Sequence, residues 1–246
     1  MMTPKKRELP MIELYDLVVS DDRRPSPFCW RTKFALKHKG LDWREVPVGF
    51  TEKRTIAFAG STTVPVICDH AHGDKTVKDS WDIAVYLDEA YPDRPLFKSG
   101  QARAFARFVN DWTDTAVHPA LFPLVVADIY TRARPEDRDY FRETREKRLG
   151  MKLEDAQRAA RETRVPAYRG TLEPARRLLA EQPFLAGKTP GYPDYALMGT
   201  MMWVRVICPL QLLDAGDPVL AWQERMLDQF GGFARKVAPA SEAAGS

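Results

Sequence analysis

The sequence predicts a two-domain fold: an α/β domain built on a mixed four-stranded sheet, followed by an all-α domain. Three observations predict it. Between Met11 and Tyr91, short apolar runs alternate with helical patterns. After Gly100 the strand patterns stop and helical spacing takes over. The chain has 246 residues, 44% of them apolar and 29% charged, which suits one large or two small folded domains.

Met11 to Val19 reads as a strand, with Ile12, Leu14 and Leu17 apolar, and ends in the polar turn Ser20 to Pro25. Pro27 to Lys39 reads as a helix, since Trp30 and Phe34, and Cys29 and Leu36, recur at helical spacing. Gly40 stands where a helix C-terminus favours a left-handed residue. Trp43 to Phe50 is a second strand, and Lys53 to Gly60 a short helix. Val64 to Cys68 and Lys75 to Asp79 are short extended runs joined by the turn-forming Asp69-His70-Ala71-His72-Gly73-Asp74, so they form a hairpin. Helix Trp81 to Ala90 follows, with Ala84, Leu87 and Tyr91 on one face.

The order is strand, helix, strand, helix, hairpin, helix. A helical connection permits parallel pairing of the first two strands, and a hairpin forces antiparallel pairing of the last two. A mixed four-stranded sheet meets both demands, and the order is similar to the thioredoxin arrangement.

In the second half, Phe105, Phe108, Val109, Trp112 and Ala116 form an amphipathic stripe. Arg138 to Thr163 is a long charged helix or a pair of them, and Leu172 to Glu181 is another, stopped by Pro183. Asp194 caps an apolar helix Tyr195 to Ile207. Asp217 caps a last one with Pro218 at its first position and Leu220, Leu227 and Phe230 facing inward. The expected divisions are a disordered N-terminus at 1–10, the sheet domain at 11–97, the helical domain at 98–238 and a disordered tail at 239–246.

Composition excludes several function classes. A net charge of +3 with interleaved acids and bases leaves no nucleic-acid stripe. The densest charged stretch, Thr131 to Leu149, reads as the solvated face of a helix. Three cysteines, Cys29, Cys68 and Cys208, give no disulfide framework and suit a reducing compartment. No secretory pattern follows the polar N-terminus, and the most apolar segment, Tyr195 to Leu213, contains Arg205 and Pro209, so a core helix fits better than a membrane span. A cytoplasmic protein is expected, with no membrane or nucleic-acid partner.

The informative segment is Ser26-Pro27-Phe28-Cys29, just after the first strand and opening the first helix. Thioredoxins and glutaredoxins place a C-x-x-C redox pair there. Here Ser26 replaces the first cysteine, so a two-thiol disulfide cycle cannot run on this segment alone. A serine hydroxyl suits another task, stabilising the thiolate of a bound thiol such as glutathione. A free thiol has a pKa near ~8.5. Lowering it by one unit takes about 1.4 kcal/mol, and a helix N-terminus alone supplies roughly 0.3–1 kcal/mol. Ser26 also serves simply as an N-cap with Pro27 at the first helical position, an ordinary helix start.

Neighbouring features fit a tripeptide site. Val64-Pro65 enters a strand where proline is out of place unless it makes a special turn, and a cis bond there would expose the Val64 backbone for β-type pairing. A trans proline on an edge strand is the other reading. Asp79 can pair with an ammonium, while the Ser80 hydroxyl and the following helix N-terminus can hold a carboxylate, although either residue also works as a cap alone. Lys53 and Arg54 are cations able to meet a second carboxylate, or plain surface charge.

These residues carry a family resemblance. From about Met11 to Phe233 the chain resembles cytosolic glutathione transferases of the serine type, through Ser26, Val64-Pro65, Asp79-Ser80 and Lys53. Asp194, in Pro193-Asp194-Tyr195-Ala196, resembles that family's buried N-capping aspartate and is structural on that reading. The run from Ser26 to Gly40, with Asp79-Ser80-Trp81 and Tyr86-Leu87-Asp88-Glu89, looks like the bacterial glutathione-dependent β-etherases and their fungal relatives. The resemblance implies glutathione as co-substrate, Ser26 as the catalytic residue, no metal, and a homodimer. It also implies a pocket between the domains for an aromatic electrophile, with Phe28 and Trp30 on one side and Asn110, Trp112 and Tyr130 on the other; Trp112 equally completes a core stripe.

Two readings compete with transfer to an electrophile: a non-catalytic binding module on the same fold, and a thiol oxidoreductase using Cys29, which otherwise is a buried small hydrophobe. The hairpin residues Asp69, His70, His72 and Asp74 amount to adventitious metal binding at most, with Cys68 alternating to the opposite face.

Overall fold

Ile12 and Leu14 of the first strand have no exposed surface, and the sheet grows outward from them. A computed structural model describes residues 12–240 of the chain. The strands are β1 (Ile12–Leu17), β2 (Trp43–Val48), β3 (Val66–Asp69) and β4 (Lys75–Lys78). Their order is β2-β1-β3-β4, with β1 parallel to β2 and antiparallel to β3, and β3 antiparallel to β4. This is the mixed sheet that the connections demanded. Between β1 and β2 runs α1 (Pro27–Lys39), ended by left-handed Gly40 at φ 71°. The short helix expected after β2 is a 3-10 segment, Lys53–Ala59. After β4 comes α2 (Ser80–Ala90).

The second half is helical throughout: α3 (Gly100–Trp112), α4 (His118–Arg132), α5 (Pro135–Leu149), α6 (Leu153–Thr163), α7 (Val165–Thr171), α8 (Glu173–Glu181), α9 (Tyr192–Ile207) and α10 (Pro218–Leu227). The charged stretch expected as one helix or two is two, parted at Gly150, whose φ of 71° ends α5. A π-helical turn, Thr113–Val117, runs α3 into α4, and neither α4 nor α7 was marked in the sequence. No helix among the described residues is long and apolar enough to cross a membrane.

Four details differ from expectation. Phe105 and Phe108 do not face the core: they are 39% and 66% exposed, and the buried stripe runs through Ala106, Val109, Asn110, Thr113 and Val117. Asp194 is not the cap residue but sits inside the first turn of α9, which begins at Tyr192 after Gly191. Its wholly buried carboxylate accepts from the backbone N–H groups of Gly191 (3.0 Å), Leu185 (2.7 Å) and Ala186 (3.1 Å) and from Trp222 Nε1 (2.8 Å). The tail expected to be disordered from Pro239 is packed at its start: Ala240 is buried and its carbonyl accepts from Arg132. The rest of that tail, 241–246, and the expected disordered segment 1–10 lie outside the described residues. At the hairpin, Cys68 turns toward His70 (Sγ to Nδ1 4.0 Å), not away from it. The tip is pinned, because buried Asp69 accepts from the hydroxyls of Tyr86 and Tyr91.

Helix α1 lies between the sheet and α9, so nearly all its residues are buried, charged ones included. Phe34 stacks on Tyr195 of α9, ring centroids 5.6 Å apart. Lys33 reaches back to the sheet, pairing with Asp16 (2.6 Å) and Glu45 (2.8 Å). Gly199 lets the α9 backbone approach the first turn of α1: a Cβ there would collide with the Pro27 carbonyl oxygen and touch Arg31 Cγ at 3.0 Å. Gly199→Ala should therefore destabilise the fold by about 1–3 kcal/mol, overriding the ~1 kcal/mol by which a free helix prefers alanine. Urea unfolding measures it, and a variant as stable as wild type would refute the close approach.

Candidate functional site

A cavity of about 570 Å³ opens between the sheet domain and the helices, within the size range of small-molecule sites. The sheet side contributes Ser26, Pro27 and Phe28 at the start of α1, Val48 to Phe50 after β2, Lys53, and Thr62 to Val64. The helical side contributes Asp114, His118, Pro119, Phe122, Ile129, Tyr140, Phe141, Arg145, Arg148 and Trp203.

Ser26 sits at the N-terminus of α1 because the turn after β1 delivers the chain there and Pro27 sets the first helical residue. Its Oγ accepts from the Cys29 backbone N–H at 3.2 Å. The capping role is thus realised, and it occupies an oxygen lone pair, leaving the hydroxyl hydrogen for another acceptor. The aligned peptide dipoles of α1 add positive potential at this point.

Cys29 does not line the cavity. It is fully buried, its Sγ 3.9 Å from the Tyr15 carbonyl. Burial first, and then the Asp16 charge, push its thiol well above the ordinary range, so it is held protonated and unreactive.

The Val64–Pro65 bond is cis. Val64 lines the cavity. Pro65, Asp79 and Ser80 adjoin it without lining it: the Asp79 N–H donates to the Pro65 carbonyl at 3.3 Å. Asp79 holds φ at 69°, a strained value for a non-glycine residue, and its exposed carboxylate caps α2 by accepting from Trp81 N–H at 2.8 Å. Ser80 is almost fully buried, and its carbonyl accepts from Tyr192. Lys53 lines the cavity with Nζ 4.9 Å from the Tyr140 ring centre, whereas Arg54 is exposed outside it.

Of the expected pocket residues, Phe28 lines the cavity and four others are placed elsewhere. Trp30 is buried against Phe34 and Phe233 and donates to the Arg24 carbonyl. Asn110 is buried and binds Arg31. Trp112 packs on the core, and Tyr130 lies under the Arg142 guanidinium. The family resemblance placed these residues near the domain boundary, and sequence alone did not show which face the π turn would aim at the cavity. The aromatic wall comes instead from Phe50, Phe122, Phe141 and Trp203. Arg145 and Arg148, read as part of a solvated face, look into the cleft.

Beneath the cavity wall lies a polar network. Arg31 has no exposed surface and donates to Asp114 (2.6 and 3.2 Å), to Asn110 Oδ1 (3.0 Å) and to the Ala196 carbonyl (3.2 Å). His118 bonds Thr200 through Nε2 (2.6 Å), with Nδ1 3.4 Å from Asp114. Burial, then the Arg31 charge, pushes the His118 pKa down to about 3. His118 thus presents a neutral ring to the cavity, edge-on to Phe28 and Trp203. Away from the cleft, Cys68, His70 and Asp74 bring three potential ligand atoms within 4.8 Å of one another.

Two family models match the chain: the glutathione S-transferase C-terminal domain over residues 104–230 and the N-terminal domain over residues 25–90. A glutathione S-transferase of Arabidopsis thaliana is 26% identical over 190 residues, which is 76% of this chain and 74% of that one. Among solved structures, the glutathione S-transferase of Ceriporiopsis subvermispora in complex with glutathione superposes with a TM-score of 0.72 at 26% identity, covering 92% of this chain and 94% of its own. A glutathione transferase from Phanerochaete chrysosporium gives a TM-score of 0.70 at 26% identity, covering 96% of both chains.

The depressed His118 pKa has a sign that can be tested. The unfolded chain binds a proton near the ordinary value of 6.5 and the folded chain only near 3, so this group's contribution to stability is present above 6.5 and is lost as pH falls toward 3. Between pH 7 and 5 the loss from this one residue is roughly 2 kcal/mol. An NMR titration should find the His118 ring neutral down to pH 5, and a midpoint above that would refute the burial argument.

Proposed function

The chain belongs to the glutathione S-transferase family, and from that premise we propose that Ser26 stabilises glutathione as its thiolate for attack on an aromatic electrophile. The observation that carries the proposal is the Ser26 hydroxyl, set at the N-terminus of α1 and opening on the cavity. The hydroxyl hydrogen and the α1 dipole together are of the size needed to lower a thiol pKa by one unit, about 1.4 kcal/mol.

The tripeptide is assigned by charge. The Val64 backbone faces its extended middle as an added strand would. Asp79 takes the γ-glutamyl ammonium, the Ser80 hydroxyl and the α2 N-terminus take the neighbouring carboxylate, and Lys53 takes the glycine carboxylate. Pro65 fixes the turn between these parts. In the reaction the sulfur electron pair forms a C–S bond, the bond from that carbon to the leaving group breaks, and the leaving group departs with its electron pair. For a β-aryl ether, the narrower reading, the leaving group is a phenolate that takes a proton from water. Phe28, Phe122, Phe141 and Trp203 suit a flat apolar body beside the thiolate. A Cys29 oxidoreductase finds no support in a fully buried thiol that is held protonated and does not line the cavity.

Titrating glutathione into wild type and Ser26→Ala, with thiolate absorbance followed against pH, tests the proposal. Wild type should bind and lower the thiol pKa, while the variant should bind but leave it about one unit higher or more, with conjugation near neutral pH slowed about tenfold. No binding by wild type, or an unchanged pKa in the variant, would sink it. Aromatic ethers and halides are then the substrates to compare.

The homodimer is a second proposal. Phe105 and Phe108 on α3, and Phe58 in the 3-10 segment, are exposed large apolar side chains that a second copy would cover. Wild type should sediment as a dimer and Phe108→Glu should shift toward monomer; a monomeric wild type would end this reading.

A further inference from the structure

Lys53, Arg145 and Arg148 line the cavity, and among the described residues none of them pairs with a carboxylate. They rest on rings instead: Lys53 on Tyr140, Arg145 on Phe141 at 4.6 Å and Arg148 on Phe122 at 4.2 Å. Asp114, on the same wall, already serves Arg31. The contrast lies within one segment. Arg134 pairs with Asp137, and Arg142 with Glu146 and Glu154, both outside the cavity lining, whereas Arg145 and Arg148 at the cavity have no such pair. The resulting potential is felt by Tyr140, whose phenol is held below its ordinary pKa first by a hydrogen bond from Lys53 and further by Arg145. Burial, with Arg148 adding like charge, pulls Arg145 down as well.

We infer that the second substrate carries an anionic group, a carboxylate or sulfonate, on its apolar aromatic body, and that Arg145 and Arg148 bind that group. The inference rests on the proposed glutathione site, which uses Lys53 for the glycine carboxylate and leaves the two arginines unassigned. Guanidinium forks match such anions in a bidentate way, and a ring beneath each guanidinium restrains it before binding. Phe122 and Phe141, which carry the arginines, also form the apolar wall, so anion and ring system are recognised by one continuous surface.

Calorimetric titration of 2-naphthoate and of neutral 2-naphthamide, without glutathione, tests this on the intact protein. Wild type should bind the naphthoate about tenfold more tightly, the scale of a hydrogen-bonded charge. That preference should shrink as salt is raised. The double variant Arg145→Gln/Arg148→Gln should bind both probes alike while keeping wild-type glutathione affinity, and Arg145→Lys/Arg148→Lys should keep part of the preference. Equal affinities in wild type would overturn the inference, as would a preference that survives in the Gln variant. Loss of glutathione affinity in the Gln variant would assign the arginines to glutathione and overturn it too. The salt series needs no variant, so a preference that is absent or does not shrink with salt overturns the inference even where a variant fails to fold. Because the probe titrations contain no glutathione, their failure leaves the role of Ser26 standing, and failure of thiol activation leaves them interpretable.

Discussion

A guanidinium without exposed surface cannot go unpartnered, and Arg31 organises the molecule around that demand. It projects from α1 of the sheet domain, and its partners all belong to the helical half: Asp114 in the π turn, Asn110 on α3 and the Ala196 carbonyl on α9. Satisfying it therefore fixes how the two halves meet. Gly199 removes the side chain that would hold α9 away from Pro27, so the same contact closes at the first turn of α1. Ser26 is one residue upstream. The placement of its hydroxyl is thus a consequence of domain packing as much as of local chain geometry.

The electrostatics of the cavity follow from that pairing. With Asp114 neutralised by Arg31, the wall beside Phe28 carries little net charge, and His118 stays neutral instead of pairing as a cation. The start of α1 then adds positive potential at Ser26, on the side that also carries the unpaired Lys53. A buried cysteine one turn into the helix gains little from it, because Cys29 turns toward Tyr15 and Asp16 and is desolvated. The two side chains of the S-P-F-C segment best suited to thiol chemistry lie beside each other yet differ in access to the cavity. Ser26 lines the ligand space, and Cys29, fully buried behind it, does not.

The sheet domain was legible because its signals are local. Pro27 after Ser26, Gly40 after Lys39 and the turn residues between Asp69 and Asp74 each fix an element end by backbone chemistry alone. The cis bond at Val64–Pro65 was among the readings of a proline entering a strand. The cavity wall was not legible in the same way. It depends on the rotation of α3 relative to α4, which the π turn at Thr113–Val117 resets by inserting an extra residue into the helical repeat. The resemblance put Asn110 and Trp112 at the pocket, where the structure puts His118 and Phe122. Phe105 and Phe108 failed for another reason: apolar spacing cannot tell a core face from an exposed apolar one. His38 and His118 find their partners, Tyr195 and Thr200, on α9, far along the chain.

Charged segments raise the same difficulty, and α5 shows how it is resolved. By composition its arginines are alike, interleaved with acids at the spacing of a solvated helix. In the fold they divide by direction. Arg142 turns outward and meets Glu146 and Glu154, where exposed pairing contributes little. Arg145 and Arg148 lie over phenylalanine rings at the cavity, Arg145 half-buried and Arg148 exposed, and the burial of Arg145 strengthens its interaction with an anion. Arg145, half-buried beside a second guanidinium, is less comfortable than an exposed arginine would be, and an arriving anion relieves that cost. A cationic residue kept in such a place without a counter-charge is better explained by a ligand that brings one than by solvation.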